Sequence, residues 1–237
     1  MLKSTVQPGS AGFLLTLLLL LAGTSAHLAS QSQGIGTIKG KIQMPPLGTP
    51  LNQQRPARYG GYSSGERSAA SVKEQAPEVT NVVVYLEGPG LENVQRDARK
   101  AVLDQRNAAF IPHVLPIAKG TTVEIVNRDK TYHNVFSLSN TKKFNIGRRP
   151  TGEEAPVTFD KSGPVQVFCD IHSHMTAYIL VLENPVFVQP KADGTFSLEG
   201  VPPGKYVIHV WHERFSASSQ NITVNSGETA TIDFTLQ

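Results

Sequence analysis

The chain has 237 residues, 39 % of them hydrophobic and 17 % charged, with a formal net charge of +3. Its 20 Gly and 16 Pro follow no repeat, a profile of an all-β protein with many turns that excludes a coiled coil or a wholly disordered chain. So small a charge excess, with no basic stretch interleaved with aromatics, excludes a nucleic-acid-binding surface.

Among residues 1–26 Lys3 is the only charge, Phe13 to Ala22 is apolar apart from Thr16, and Gly23-Thr24-Ser25-Ala26 follows. A basic start, a short apolar run and a small-residue exit predict a secretory signal peptide. The apolar run falls short of the roughly 20 residues a spanning helix needs, and nothing later reaches that length. The mature chain is therefore expected to carry no membrane span and to be exported, periplasmic or extracellular. Removing the leader would leave a net charge of about +2. Exported proteins usually pair their cysteines. This one has a single cysteine, Cys169, so the thiol must be a buried inert residue, an intermolecular disulfide or a metal ligand.

Gly36 to Ile42 alternates apolar and polar residues and predicts a short strand. The Pro-, Gly-, Ser- and Arg-rich stretch at about 44–80 predicts a flexible loop. Asn81 to Glu87 predicts a strong strand closed by Gly88-Pro89-Gly90, followed by strands at Ala101 to Gln105, Val114 to Ile117 and Thr122 to Asn127. His133 opens Asn134 to Ser137, Pro164 to Cys169 forms another strand, and Asp170 to Thr176 is a loop leading into Ala177 to Leu182. Regular short strands without helical periodicity predict a β-sandwich. From Asn184 a second small β unit is expected, with strands at Thr195 to Leu198, Lys205 to Trp211, Asn221 to Val224 and Thr229 to Leu236.

The chemistry is concentrated in Cys169-x2-His172-x2-Met175. Val165, Val167 and Cys169 share one strand face, which aims the sulfur into the sandwich. Thiolate, imidazole and thioether together suit copper better than zinc, iron or calcium, and a His2Cys site with a weak axial Met is an electron-transfer geometry. Taken singly, a Cys in a β-protein is more often a small buried hydrophobe, a loop His an exposed residue and a Met core filler. The joint spacing favours the metal. His133 is the best candidate for a further nitrogen ligand, with Asn134 available to donate toward the thiolate or to tie the two ligand loops together.

The segment Gly120 to Phe136, GTTVEIVNRDKTYHNVF, resembles the first-histidine region of cupredoxins, and Val165 to Val181, VQVFCDIHSHMTAYILV, resembles their C-terminal ligand loop. The short Cys-x2-His-x2-Met spacing is similar to that of amicyanin, where plastocyanin has two more residues before Met. Over residues 98–183 the resemblance implies a Greek-key cupredoxin sandwich with His133, Cys169, His172 and Met175 as ligands of one copper ion. His174 is a departure that offers either a competing ligand, an exposed edge or surface decoration. His113 is expected on a strand, in a packing or surface role. His209 and His212 are expected on opposite strand faces, unable to share a metal, with Trp211 in a core or an interface.

The tail Asp193 to Val210, DGTFSLEGVPPGKYVIHV, resembles the carboxypeptidase regulatory-like, transthyretin-like sandwich. Such domains begin with strands like Gly36 to Ile42 and Asn81 to Glu87. The cupredoxin segment is therefore expected to be inserted into a regulatory-like domain made of residues 34–90 and 186–237, with two domains in series as the alternative. Pairing of Val82 to Leu86 with Tyr206 to Val210 would favour insertion, and pairing with Val165 to Phe168 would exclude it.

Three functions are compatible with these residues. The first is an exported blue copper protein passing single electrons to an unidentified redox partner. The second is a copper carrier or buffer without redox turnover. The third is an adhesion or carbohydrate-binding sandwich. No enzyme is expected, because no Ser-His-Asp set, reasoned carboxylate pair or phosphate-binding Gly loop is present.

Overall fold

A computed structural model describes residues 34–45, 78–95 and 100–237. The expected leader at 1–26 and most of the expected loop at 44–80 lie outside the described residues.

The regular structure of the described residues is almost wholly strand, in the order β1 (Gly36–Gln43), β2 (Val83–Glu87), β3 (Ala101–Arg106), β4 (Ala109–Ile111), β5 (Val114–Ala118), β6 (Thr121–Asn127), β7 (His133–Leu138), β8 (Lys143–Arg149), β9 (Glu154–Phe159), β10 (Gly163–Cys169) and β11 (Thr176–Leu182). These are followed by β12 (Phe187–Val188), β13 (Thr195–Val201), β14 (Gly204–Trp211), β15 (Ser218–Val224), β16 (Thr229–Thr231) and β17 (Phe234–Thr235). Short 3-10 turns at Glu78–Asn81 and Leu91–Asn93 flank β2. Among the described residues no helix is long and apolar enough to cross a membrane.

The strands make four sheets. β5-β11-β10-β7-β8 faces β4-β3-β6-β9 to form an inner sandwich. Its core is Leu103, Phe110, Val123, Ile125, Val135, Phe159, Val165, Val167 and Ile179 with their neighbours. The other two sheets, β13-β1-β16 with β17 also on β1, and β12-β2-β14-β15, enclose Ile38, Leu86, Leu198, Tyr206, Ile208 and Val210 as an outer sandwich.

The chain leaves the outer sandwich after β2 and re-enters it at β12. β2 is antiparallel to β14, with Leu86 opposite Ile208 and Val84 opposite Val210. Its other partner is β12. Val82, Val84 and Leu86 point into the outer core, whereas Val83 and Tyr85 lie in a separate cluster with Val114, Leu180, Leu182 and Trp211. Being buried on both faces explains why this strand is a nearly unbroken apolar run instead of an alternating one. Trp211 stands edge-on to Tyr178, with ring centroids 5.8 Å apart, and so belongs to the interface between the two sandwiches.

Three local expectations change. Asn81 ends a 3-10 turn, so its strand starts at Val83. His113 lies in the turn between β4 and β5, not on a strand. The expected strand over Thr229 to Leu236 is split in two, because between its halves Ile232 N–H donates to the Lys39 carbonyl and Asp233 Oδ1 accepts from Lys41 N–H. Strands β8 and β9 were not anticipated. β8 is an edge strand whose alternation, Lys143-Phe144-Asn145-Ile146, is interrupted by Gly147 in a left-handed conformation.

Candidate metal centre

Two neighbouring strands deliver the site. β7 and β10 are antiparallel, with Cys169 opposite Val135, so the start of one strand lies beside the end of the other. His133 enters from β7 with no exposed surface, and Cys169 is buried at the end of β10 together with Val165 and Val167. The loop after Cys169 closes on itself. Met175 N–H donates to the His172 carbonyl at 2.9 Å, and Cys169 N–H donates to the Met175 carbonyl at 3.3 Å. This closure turns His172 back over Cys169 and leaves Met175 buried in the same apolar cluster as the cysteine.

The Cys169 sulfur is 3.6 Å from His133 Nδ1 and 3.9 Å from His172 Nδ1, and the two Nδ1 atoms are 3.1 Å apart. One ligand atom from each of the three residues lies within 4.8 Å of the others, a cluster able to hold a metal ion. Of the residues expected at the site, His133, Cys169 and His172 converge through their side chains. Met175 joins them through the loop backbone and the shared core. His174 is exposed and rests edge-on against the His172 ring at 6.0 Å, outside the cluster.

The residues around this cluster were only partly legible in the sequence. Asn134 Nδ2 donates to Asp170 Oδ2 at 3.0 Å, and Asp170 N–H donates to the Asn134 carbonyl at 3.3 Å. Asn134 therefore ties the two ligand loops together through its amide group. Asp129 went unnoticed as a partner. Its Oδ2 lies 2.9 Å from His133 Nε2. An ionised carboxylate only accepts, so Nε2 carries a proton, and Nδ1 is the ring nitrogen that faces the sulfur and the second histidine.

Asp129 is held in turn by the β3–β4 turn, where Asn107 and Ala108 adopt left-handed conformations. Their N–H groups donate to its two carboxylate oxygens at 2.5 and 2.9 Å. Burial alone would raise the Asp129 carboxyl, but the Ala108 N–H, the His133 ring and the Asn107 N–H outweigh it and hold the group below the usual carboxylate range. The signal was present in Asn127-Arg128-Asp129, four residues before His133. The partner turn at Asn107-Ala108 is 21 and 22 residues away.

Among the described residues, His209 and His212 stand apart from this cluster. His209 stacks on Tyr85 with ring centroids 4.9 Å apart. His212 is buried against Phe215 at 5.0 Å, and desolvation lowers its pKa.

Residues 179–237 match the family model of the carboxypeptidase regulatory-like domain. That match spans β12 to β17 and the last residues of β11. Among curated proteins no match is found. Several solved structures resemble part of the chain. A copper-containing nitrite reductase from Thermus scotoductus SA-01 is 28 % identical, with 38 % of this chain and 25 % of that chain covered and a TM-score of 0.34. The present chain thus spans about a quarter of that protein's length. A purple cupredoxin from Nitrosopumilus maritimus is 25 % identical over 35 % of this chain and 100 % of its own, with a TM-score of 0.33. Amicyanin from Paracoccus versutus is 21 % identical over 37 % of this chain and 85 % of its own, also with a TM-score of 0.33.

Proposed function

We propose that the protein is an exported type 1 copper protein that passes single electrons to a redox partner, with one copper ion held by His133, Cys169, His172 and Met175. The observation that carries this reading is the convergence of a thiol sulfur and two imidazole Nδ1 atoms at the end of one sandwich. The donor set fits the metal. A soft sulfur and two imidazoles favour copper over harder ions, and Met175 is the thioether on the same loop. Bound there, copper would supply one-electron chemistry by cycling between its Cu(II) and Cu(I) states.

The chain's own residues would do the rest. Asp129 fixes the His133 tautomer, and the closed loop from Cys169 to Met175 sets the spacing of three ligands. The apolar core around Cys169 keeps water from the sulfur. His172, which is only part-buried, provides an edge near solvent. No substrate reaction is assigned to the chain, and the leader-like residues 1–26 support export.

Loading the full mature chain with Cu(II) tests this reading. A type 1 site gives an intense thiolate-to-copper charge-transfer band in the visible and a narrow copper hyperfine splitting in EPR. A pale spectrum with tight copper binding would instead favour a copper carrier without redox turnover. The exposed His174 ring beside His172 is the feature that favours this second reading.

A further inference from the structure

We propose that His113 and Glu213 form a clasp through which the outer sandwich holds the end of the ligand loop in place, a consequence that rests on the metal-centre reading above.

His113 sits in the turn between β4 and β5 of the inner sandwich. Its Nδ1 is 3.1 Å from the carbonyl oxygen of Thr176, the residue that follows Met175. Its Nε2 is 2.6 Å from Oε1 of Glu213, which lies just beyond β14 in the outer sandwich. A carbonyl oxygen only accepts, and so does an ionised carboxylate. The ring can satisfy both only by donating from both nitrogens, which makes it an imidazolium. Tyr178 N–H donates to the His113 carbonyl at 2.8 Å and secures the turn from its other side.

The groups facing this ring are few. Glu213 supplies the negative charge, Tyr178 meets the ring edge-on at 6.1 Å, and His212 is close enough for its own protonation to be disfavoured by His113. The hydrogen bond that His113 donates to Glu213 is the largest influence on its pKa and raises it, burial opposes it, and the Glu213 charge and the Thr176 carbonyl add to the rise. Geometry and charge therefore agree on a protonated ring.

Mechanically, the clasp fixes the carbonyl that immediately follows Met175, while the loop's other end is fixed by the β7–β10 pairing. Neither His113 nor Glu213 touches the metal-binding atoms. They are positioning residues, and the outer sandwich thereby acts on the site without contributing a ligand.

The test uses the full mature chain. In apo protein at neutral pH, nitrogen-15 NMR of the His113 ring is expected to show both nitrogens protonated. In Glu213→Ala, amide exchange within residues 170–176 should accelerate about tenfold, the scale of a lost charge-assisted hydrogen bond, while exchange in β1 and β13 stays unchanged. With copper loaded, the same variant should show an altered EPR spectrum. Glu213→Gln keeps an amide that can donate to a neutral Nε2. It should restore loop protection with a single protonated ring nitrogen.

A neutral His113 in the wild-type chain, or wild-type loop exchange in Glu213→Ala, would overturn the clasp. Should Glu213→Ala fail to fold, the wild-type NMR spectrum and Glu213→Gln still decide it. Absence of a charge-transfer band in the wild-type protein would instead overturn the copper reading alone, because the NMR and exchange readouts need no metal.

Discussion

At the scale of single residues, the centre depends on which atoms of its side chains are left free. Asp129 occupies His133 Nε2, so only Nδ1 is available to face Cys169. Asp129→Asn removes the charge and allows the amide to present either an acceptor or a donor to the ring. Cu(II) affinity, measured by competition titration, should fall about 10- to 100-fold, as for other carboxylates behind ligating histidines. Cys169 offers a second prediction. Its sulfur is buried in an apolar cluster, so Cys169→Ala should leave the fold intact while abolishing the charge-transfer band of the copper-loaded protein. A copper site that kept its band without Cys169 would contradict the ligand assignment. The loop of the candidate site was legible in the sequence because Cys169, His172 and Met175 lie within seven consecutive residues. Asp129 was not, because its role is set by two N–H groups from a different turn.

At the scale of elements, β1 shows how a glycine can be a packing requirement. Gly36, Ile38, Gly40 and Ile42 lie on one face of β1, and the crossing between β16 and β17 passes directly over Gly40. A Cβ at that position would overlap the Ile232 carbonyl, and the nearby Phe196 ring would have to move as well. Gly40→Ala should therefore destabilise the chain by about 1–3 kcal/mol, read from chemical denaturation, with the cost falling on the outer sandwich. Most strands with clear alternation or dense apolar runs were legible, including β1, β6, β10 and β14. β8 and β9 were missed. Pairing on β7 and β6 stabilises their half-exposed residues more than any pattern of their own does.

At the scale of the whole molecule, the two sandwiches share an interface built from β2, β11 and β14 and clasped by His113 and Glu213. The clasp has a pH signature. His113 has a folded pKa raised above its ordinary value of 6.5. Its contribution to stability is fully present below that value and is lost as pH rises through the folded pKa. His212 acts in the opposite sense: burial lowers its pKa, so its contribution is present above 6.5 and lost as pH falls through the folded value. Replacing His113 with Gln should therefore cost most thermal stability on the acidic side of neutrality and progressively less as pH rises. A difference in unfolding temperature independent of pH would contradict a protonated His113.

The sequence by itself determined the all-β class and the loop that carries Cys169, His172 and Met175. These follow from local alternation and from residues close together in the chain. Only the tertiary structure decided which ring nitrogen of His133 faces the sulfur and how β1 and β2 pair with β13 to β17. It alone joined His113 to Glu213, 100 positions apart. Such contacts arise from sheet register and burial, which bring together side chains that carry no mark of one another in the linear order.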